Sequence, residues 1–337
     1  MLTLAIETSC DETSASVLDG VKVLSNIIST QLFHSEFGGV VPEVASREHL
    51  KRIIPVMKEA LKAAEVSMQD IDLICGTTEP GLIGALLVGA NFAKGLSASL
   101  GKPFVPVNHI KAHLYSPFIG NEMIRFPFLG LIISGGHTLL ILVEERFTHR
   151  IIGKTIDDAA GEAFDKAAKL LGLGYPGGRL IDELAKDGDP EYHKFPKAVI
   201  KNSEFDFSFS GIKTSLLYYL RKSYSGRLPE GEELSGICAS YQKAIVEMLY
   251  EKTFRAAKKF GVNTIAVSGG VSANSGVRWR FGEMGKEDYI ILFPESEYTS
   301  DNAAMIGFAG ILEYSTSKNN QPGLSVHARP RIDYKNF

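Results

Sequence analysis

The hydrophobic and polar positions divide the chain into strand and helix segments that recur. "LTLAIE" (2–7) is an apolar run of strand length, and the polar turn "TSCDET" follows it. "SASVLDG" opens a second strand, and the region near "VLSNIIST" reads as a third. "VPEVASREHLKRIIPVMKEALKAAE" (41–65) has the period of an amphipathic helix, with Pro42 near its start. "IDLICGTT" is a strand. A helix rich in small residues follows over 81–100, and "PFVPVNH" is a short strand. The pattern then repeats. "FPFLGLIISGGHTLLILVEE" is again strand, glycine-containing turn, strand, and "DDAAGEAFDKAAKLLG" (157–172) predicts a helix. "VNTIAVSGGVSANSGVRWRF" gives strand, glycine turn, helix. The repeat predicts a duplicated α/β architecture, with the polar stretch 185–235 as an insertion or lid.

Composition narrows the function classes. A chain of 337 residues with 45% hydrophobic and 22% charged residues fits a soluble protein of two domains. The net charge of −3 gives no overall basic signature, so a nucleic-acid partner would have to use a local patch. Cys10, Cys75 and Cys238 form no CxxC pair and read as free thiols of a reducing cytosol. The N-terminus lacks a basic segment, which argues against a signal peptide. The apolar run 81–101 contains Asn91 and Lys94 and is dense in Gly and Ala, so a buried, closely packed helix is expected there and no membrane span.

The chemistry-bearing residues enter next. In "NHIKAHLYSP" His109 and His113 are four apart, one turn of helix, where two imidazoles can share a metal. Ile110 stands where a zinc protease of the HExxH type carries its glutamate base. "YTSDNAAMIGFAG" places Asp301 in the N-terminal turn of a helix, as an N-cap or as a third ligand. Two histidines and a carboxylate leave positions open on iron or zinc. The turns "TSCDET", "SGGHT" (134–138) and "SGGVSAN" (268–274) offer backbone amides and hydroxyls suited to phosphate or nucleotide, though none is a Walker A loop or GxGxxG fingerprint. Asp158, Glu162 and Asp165 fall on one predicted helical face, and Gly161 among them suggests close packing by another segment. "GYPGGRLID" puts Asp182 at a helix entry. "FSFSGIKTS" offers Ser208, Ser210, Lys213 and Thr214 either as helix capping by Ser210 or as a phosphate-lined wall.

Eight motifs in register, "ETSCDET", "NHIKAHL", "SGGHT", "DDAAGEAFDK", "GYPGG", "FSFSGIKT", "SGGVSAN" and "SDNAAMIG", make the chain resemble the TsaD/Gcp family, called Kae in archaea and eukaryotes, from about residue 2 to "ARPR". The resemblance implies the actin/Hsp70/sugar-kinase (ASKHA) fold, α/β, with duplicated RNase H-like halves around a nucleotide cleft. The expected halves are 1–118 plus about 310–337, and 119–309. It implies an acyltransferase of the cytoplasm that moves the threonylcarbamoyl group of threonylcarbamoyl-AMP to N6 of adenosine 37 in tRNAs reading ANN codons. By matching motif, His109, His113 and Asp301 would hold one divalent metal, Fe(II) with zinc as the alternative. Ile133, Ser134, Gly135, Gly136 and His137 would contact the acyl-phosphate region. Asp165, Gly178, Asp182 and Asn274 would hold the ribose and adenine of the adenine nucleotide, and Asp11 or Glu12 is expected as the proton acceptor or as a residue on the tRNA side. Expected partners are tRNA, a TsaB-like paralogue through helices 42–65 and 81–100, a TsaE-like P-loop ATPase, and a threonylcarbamoyl-AMP synthase as donor supplier. Lys213, Arg221, Lys222, Arg329, Arg331 and Lys335 are the basic residues for tRNA contact, each equally compatible with ordinary solvated surface. The competing readings are a metallopeptidase, a kinase of the same fold, and a nucleotide-gated scaffold.

Overall fold

The structure, a computed structural model, describes all residues except 32–33, 35–38, 122, 198–199, 201–202 and 317–337. The described chain falls into two units, Met1–Ile124 with 294–316, and Arg125–Phe293. The sequence reading set these boundaries at 118 and about 310, against 124 and 294 here. Arg329, Arg331 and Lys335 lie outside the described residues.

The first unit is built on β1 (Leu2–Glu7), β2 (Glu12–Asp19), β3 (Lys22–Thr30), β4 (Leu73–Glu79) and β5 (Phe104–Asn108). The sheet order is β3-β2-β1-β4-β5, with β1, β2 and β3 antiparallel and β1, β4 and β5 parallel. β1 is buried on both faces along nearly its whole length, Thr3 included. Three helices follow strands of this sheet: α1 (Pro42–Ala63), α2 (Ile83–Leu100) and α3 (His109–Tyr115). α1 and α2 cover the core of Leu4, Ile6, Val17, Ile53, Met57 and Ile74. The buried, closely packed helix expected here is α2, buried on one face and exposed on the other. By length and composition it could cross a membrane, but its inner face, Ala85, Leu86, Gly89, Ala90 and Ala93, packs on the sheet. Its outer face leaves Ile83 and Leu87 exposed. Thr8 donates its hydroxyl to Ala85 O at 2.8 Å, and a Cβ on Gly89 would strike that same side chain.

The second unit repeats the arrangement. β6 (Phe128–Ile133), β7 (Thr138–Glu145), β8 (Thr148–Lys154), β9 (Thr264–Ser268) and β10 (Ile290–Leu292) are ordered β8-β7-β6-β9-β10, with β6, β9 and β10 parallel. A strand hairpin followed by two parallel strands is therefore used twice, the duplication that the sequence pattern predicts. The helices are α4 (Ala160–Leu170), α5 (Gly177–Ala185), α6 (Ser210–Tyr224), α7 (Gly231–Phe260) and α8 (Ser275–Met284). Phe164, Phe207, Phe209, Tyr241 and Phe281 fill its core. The stretch expected as an insertion or lid, 185–235, holds α6 and the first turn of α7. Ile212, Leu216, Leu220 and Tyr224 recur at helical spacing there and bury one face of α6.

The last described helix, α9 (Ala303–Thr316), belongs to the first unit. Residues 303–312 are all buried, and it lies so close to the sheet that a Cβ on Gly307 would meet Leu18 and one on Gly310 would meet Cys75.

Candidate functional site

In parallel α/β sheets ligands collect beyond the carboxyl ends of the strands. In the first unit β1 ends at Glu7, β4 at Glu79 and β5 at Asn108. Asn108 accepts from Ile110 N at 2.9 Å and Lys111 N at 3.1 Å, so it caps α3 and starts that helix at His109. Both histidines are buried, and their rings meet edge to face at 4.6 Å between centroids. Asp301 reaches them from the segment before α9. Its Oδ1 lies 3.0 Å from His113 Nε2 and 3.5 Å from His109 Nε2. One ligand atom from each residue lies within 4.8 Å of the others, so the three converge on a space of metal-site dimensions.

The N-cap alternative for Asp301 does not hold. Asn302 is the residue whose side chain accepts from Met305 N, at 3.0 Å, and α9 begins after it. Ser14 Oγ accepts from Ala303 N at 2.9 Å. With the helix end satisfied by neighbours, the Asp301 carboxylate is left to the imidazoles.

Glu7 was missed in the sequence, where Asp11 and Glu12 in the same motif drew attention. It is wholly buried, and its carboxylate accepts from Ser9 N at 2.5 Å and from the Thr77 hydroxyl. Glu7 Oε2 lies 3.3 Å from His109 Nδ1, and Ser9 Oγ lies 3.2 Å from the same nitrogen. A carboxylate behind a ligand histidine fixes the tautomer that turns Nε2 toward a metal. His113 Nδ1 is buried without a hydrogen-bond partner among the described residues.

Burial and charge set the protonation of this cluster. Burial alone would push His109 down, but the carboxylates of Asp301 and Glu7 outweigh it and raise its pKa well above the usual imidazole value. Burial would raise Asp301, yet His109 and His113 hold it well below the usual carboxylate range. Burial keeps His113 low. Burial, then the charges of Asp301 and Asp11, lift Glu12 well above the ordinary range. A metal must displace the proton on His109. The affinity for a metal held here should therefore fall as pH drops through the raised His109 value, with a proton released on binding. A metal titration at several pH values, with proton release followed by indicator dye, measures both. Replacing Glu7 by Gln removes the backing charge and should weaken metal binding about 10- to 100-fold with little change in melting temperature.

The turn "TSCDET" is held from α1. His49 bonds Thr13 Oγ1 through Nδ1 at 2.8 Å, and its Nε2 lies 3.0 Å from Cys10 O. Neither histidine contact was foreseen.

In the second unit the two glycine turns leave parallel neighbours, β6 at Ile133 and β9 at Ser268, so they stand side by side at the carboxyl edge. Ser134 N donates to His137 O at 2.8 Å, and His137 N donates to Ser134 Oγ at 3.1 Å, which closes the "SGGHT" turn. Gly135 and Gly136 have open space beside them. Gly161 N donates to Ser134 O at 3.1 Å, and a Cβ there would lie 2.7 Å from that oxygen. The close packing expected at Gly161 is thus α4 set against this turn. Gly269, at φ +86°, passes so near Ile133 that a Cβ would lie 2.5 Å from its carbonyl oxygen.

The remaining site residues of this unit join by hydrogen bonds. Asn274 caps α8 through Val277 N at 3.0 Å and donates to Gln242 Oε1 at 2.7 Å. Asp182 accepts from Ser275 N at 3.0 Å and Ser275 Oγ at 2.6 Å. Asp165, its pKa raised by burial against the amides of Gly177 and Gly178, accepts from Gly177 N at 2.8 Å. Asp158, expected on the face of α4, instead precedes that helix. Its carboxylate holds Lys166 at 2.7 Å and Lys213 at 3.3 Å. Ser210 is not the cap of α6. Asp157 takes that part, accepting from Phe209 N at 2.8 Å and from Ser208 Oγ and Ser210 Oγ at 2.5 and 2.7 Å.

Comparison with known proteins decides the family. The family model described as TsaD, tRNA N6-adenosine threonylcarbamoyltransferase, matches residues 22–308. The chain belongs to the TsaD family. It is 49% identical over 316 residues to the tRNA N6-adenosine threonylcarbamoyltransferase of Thermosipho africanus (strain TCF52B), covering 93% of this chain and 94% of that one. It is 52% identical over 318 residues to the protein of the same name from Chloroherpeton thalassium (strain ATCC 35110 / GB-78), covering 90% and 89%. Among solved structures it is similar to T. kodakarensis HypF, with TM-score 0.61 and 15% identity, over 94% of this chain and 48% of that one. At that identity the likeness speaks to the fold alone, and it accords with the ASKHA architecture. As a member of the TsaD family the chain is a transferase acting on tRNA.

Proposed function

We propose that the chain transfers the threonylcarbamoyl group of threonylcarbamoyl-AMP to N6 of adenosine 37 in tRNAs reading ANN codons, with release of AMP. The observation that carries this is the TsaD match over 22–308, joined by relatives about half identical over nine-tenths of the chain. The donor is a mixed anhydride, so no enzyme nucleophile is required. The N6 nitrogen forms a bond to the carbamoyl carbon, the bond from that carbon to the phosphate oxygen breaks, and N6 gives up a proton. Charge that develops on the carbonyl oxygen calls for preorganised donors, and the amides of Gly135 and Gly136, in the turn closed by Ser134 and His137, supply them. Asp165, Gly178, Asp182 and Asn274 hold the ribose and adenine of the donor. Asp11 or Glu12, at the turn after β1, accepts the N6 proton.

The donor set fits a divalent metal. Two imidazole nitrogens and a carboxylate oxygen converge, and Glu7 backs His109 on its far nitrogen. His109, His113 and Asp301 would hold it, Fe(II) as the family resemblance implies with zinc as the alternative, since two imidazoles and a carboxylate suit either. Bound there, the metal supplies a Lewis acid for donor oxygens. A peptidase would need a base next to its water. Ile110 follows His109, and Glu7 is engaged behind the ring.

Exposed apolar residues on two adjacent helices, Leu50 and Ile54 on α1 and Ile83 and Leu87 on α2, support docking of a TsaB-like paralogue there. A TsaE-like ATPase and a threonylcarbamoyl-AMP synthase complete the system, and the setting is the cytoplasm. Isotope tracing tests the reaction. Label from threonine entering tRNA, with AMP released, is expected when the donor is supplied with and without partner proteins. Label from the γ-phosphate of ATP entering an acceptor would point instead to a kinase.

A further inference from the structure

We propose that the groove between α4 and α6 binds the sugar–phosphate backbone of the tRNA, with Lys169 and Lys213 as phosphate contacts and Tyr218 as a stacking platform beside them. This rests on the reading of tRNA as substrate. The groove encloses about 460 Å³ and is lined by Lys166, Lys169 and Leu170 of α4 and by Lys213, Thr214 and Leu217 of α6. Three ammonium groups therefore face one groove in a chain of net charge −3. Two carboxylates answer them. Asp158 holds Lys166 and Lys213, and Glu162 holds Lys166 at 2.7 Å. Three positive charges less two negative ones leave one, and Lys169 makes no ion pair among the described residues. The tether on Asp158 also limits where Lys213 can go, which lowers the ordering cost when a phosphate arrives. Leu170 and Leu217 add apolar wall, where a charge is screened less than in open water.

The surface continues beyond the groove. Thr214, Tyr218 and Arg221 lie at i, i+4 and i+7 on α6, and all three are exposed. Tyr218 is 64% exposed although it is a large aromatic ring. From Lys213 to Arg221 the stripe runs roughly 12 Å at the rise of an α-helix. That exceeds a single phosphate and suits a stretch of backbone. Cations alternating with an exposed ring match the way unpaired RNA is held, by phosphate contacts and by a base stacked on an aromatic face. A free mononucleotide would use one end of such a stripe and leave the rest idle.

The test uses the full-length chain with Lys169→Glu and Tyr218→Ala, both at exposed positions. tRNA binding is followed by fluorescence anisotropy between 50 and 200 mM salt, and transfer is assayed with its partners present. Lys169→Glu should weaken binding about 5- to 10-fold and reduce the salt slope by about one. Tyr218→Ala should weaken it about 5-fold or more. In transfer, KM for tRNA should rise while kcat and KM for the donor stay put, with melting temperatures unchanged. Two variants that bind tRNA with wild-type affinity and slope would overturn the proposal while wild-type transfer leaves the functional reading intact. Protection of Lys169 from amine labelling by inorganic phosphate or AMP, with no effect of its replacement on tRNA affinity, would also overturn it in favour of a small-anion site. A wild-type chain that neither binds nor modifies tRNA would overturn the functional reading itself.

Discussion

Replacing Asp301 with alanine should remove stoichiometric metal binding and lower transfer to tRNA by about 10²- to 10³-fold, the scale expected for loss of several kcal/mol of charge stabilisation. Asp301 is the only carboxylate within 3.5 Å of both imidazole Nε2 atoms among the described residues. Without it, two histidines remain, and His109 keeps its proton partner Glu7 on the far side. The fold should survive, because α9 takes its cap from Asn302 and its first amide is bound by Ser14. Asp301→Asn sharpens the test. Asparagine caps helices as well as aspartate does. If Asp301 served as a cap, Asp301→Asn would act like wild type. Here it should lose metal almost as fully as the alanine variant, read by metal analysis of the purified protein.

Replacing Gly269 with alanine should cost about 3 kcal/mol of stability or more, a fall of about 5–10 °C in melting temperature. Its φ of +86° and ψ of 164° fall where residues with a side chain are strained, and the new Cβ would press on Ile133 O. The strain lies in the glycine turn at the end of β9, next to the one at the end of β6. Binding of an adenine nucleotide should weaken together with stability. Calorimetric melting and nucleotide titration on one preparation read both. Gly135→Ala is the control, because open space surrounds Gly135, and it should melt within about 1 °C of wild type.

The duplicated fold was legible because each half announces itself locally. A strand, a polar turn and a second strand recur, each strand buried almost continuously on both faces, and β1 spans the short run from Leu2 to Glu7. The histidine pair was legible for the same reason, since four residues on a helix settle a distance. Asp301 is another matter. It lies 188 residues from His113, and only matching motifs joined them. Glu7 was missed because a buried strand-end acid has no local signature, and two more acids follow it in "ETSCDET". α4 was started too early because Asp157 and Asp158 look like helix-start acids. Instead Asp157 is drawn away by the amides and hydroxyls of Phe209, Ser208 and Ser210, fifty residues on. The stretch 185–235 read as an insertion because its charged residues hide the spacing of Ile212, Leu216 and Leu220, which is what places α6 on the core.

The most direct test of the account removes and restores the metal on one sample. The chain is stripped with chelator, reloaded stepwise with Fe(II) under anaerobic conditions, and assayed for threonylcarbamoyl transfer to tRNA at each measured occupancy, with partners present. Transfer should rise in proportion to occupancy to one metal per chain, and the Asp301→Ala protein should stay flat. Full transfer by the metal-free wild-type chain would contradict the role assigned to His109, His113 and Asp301.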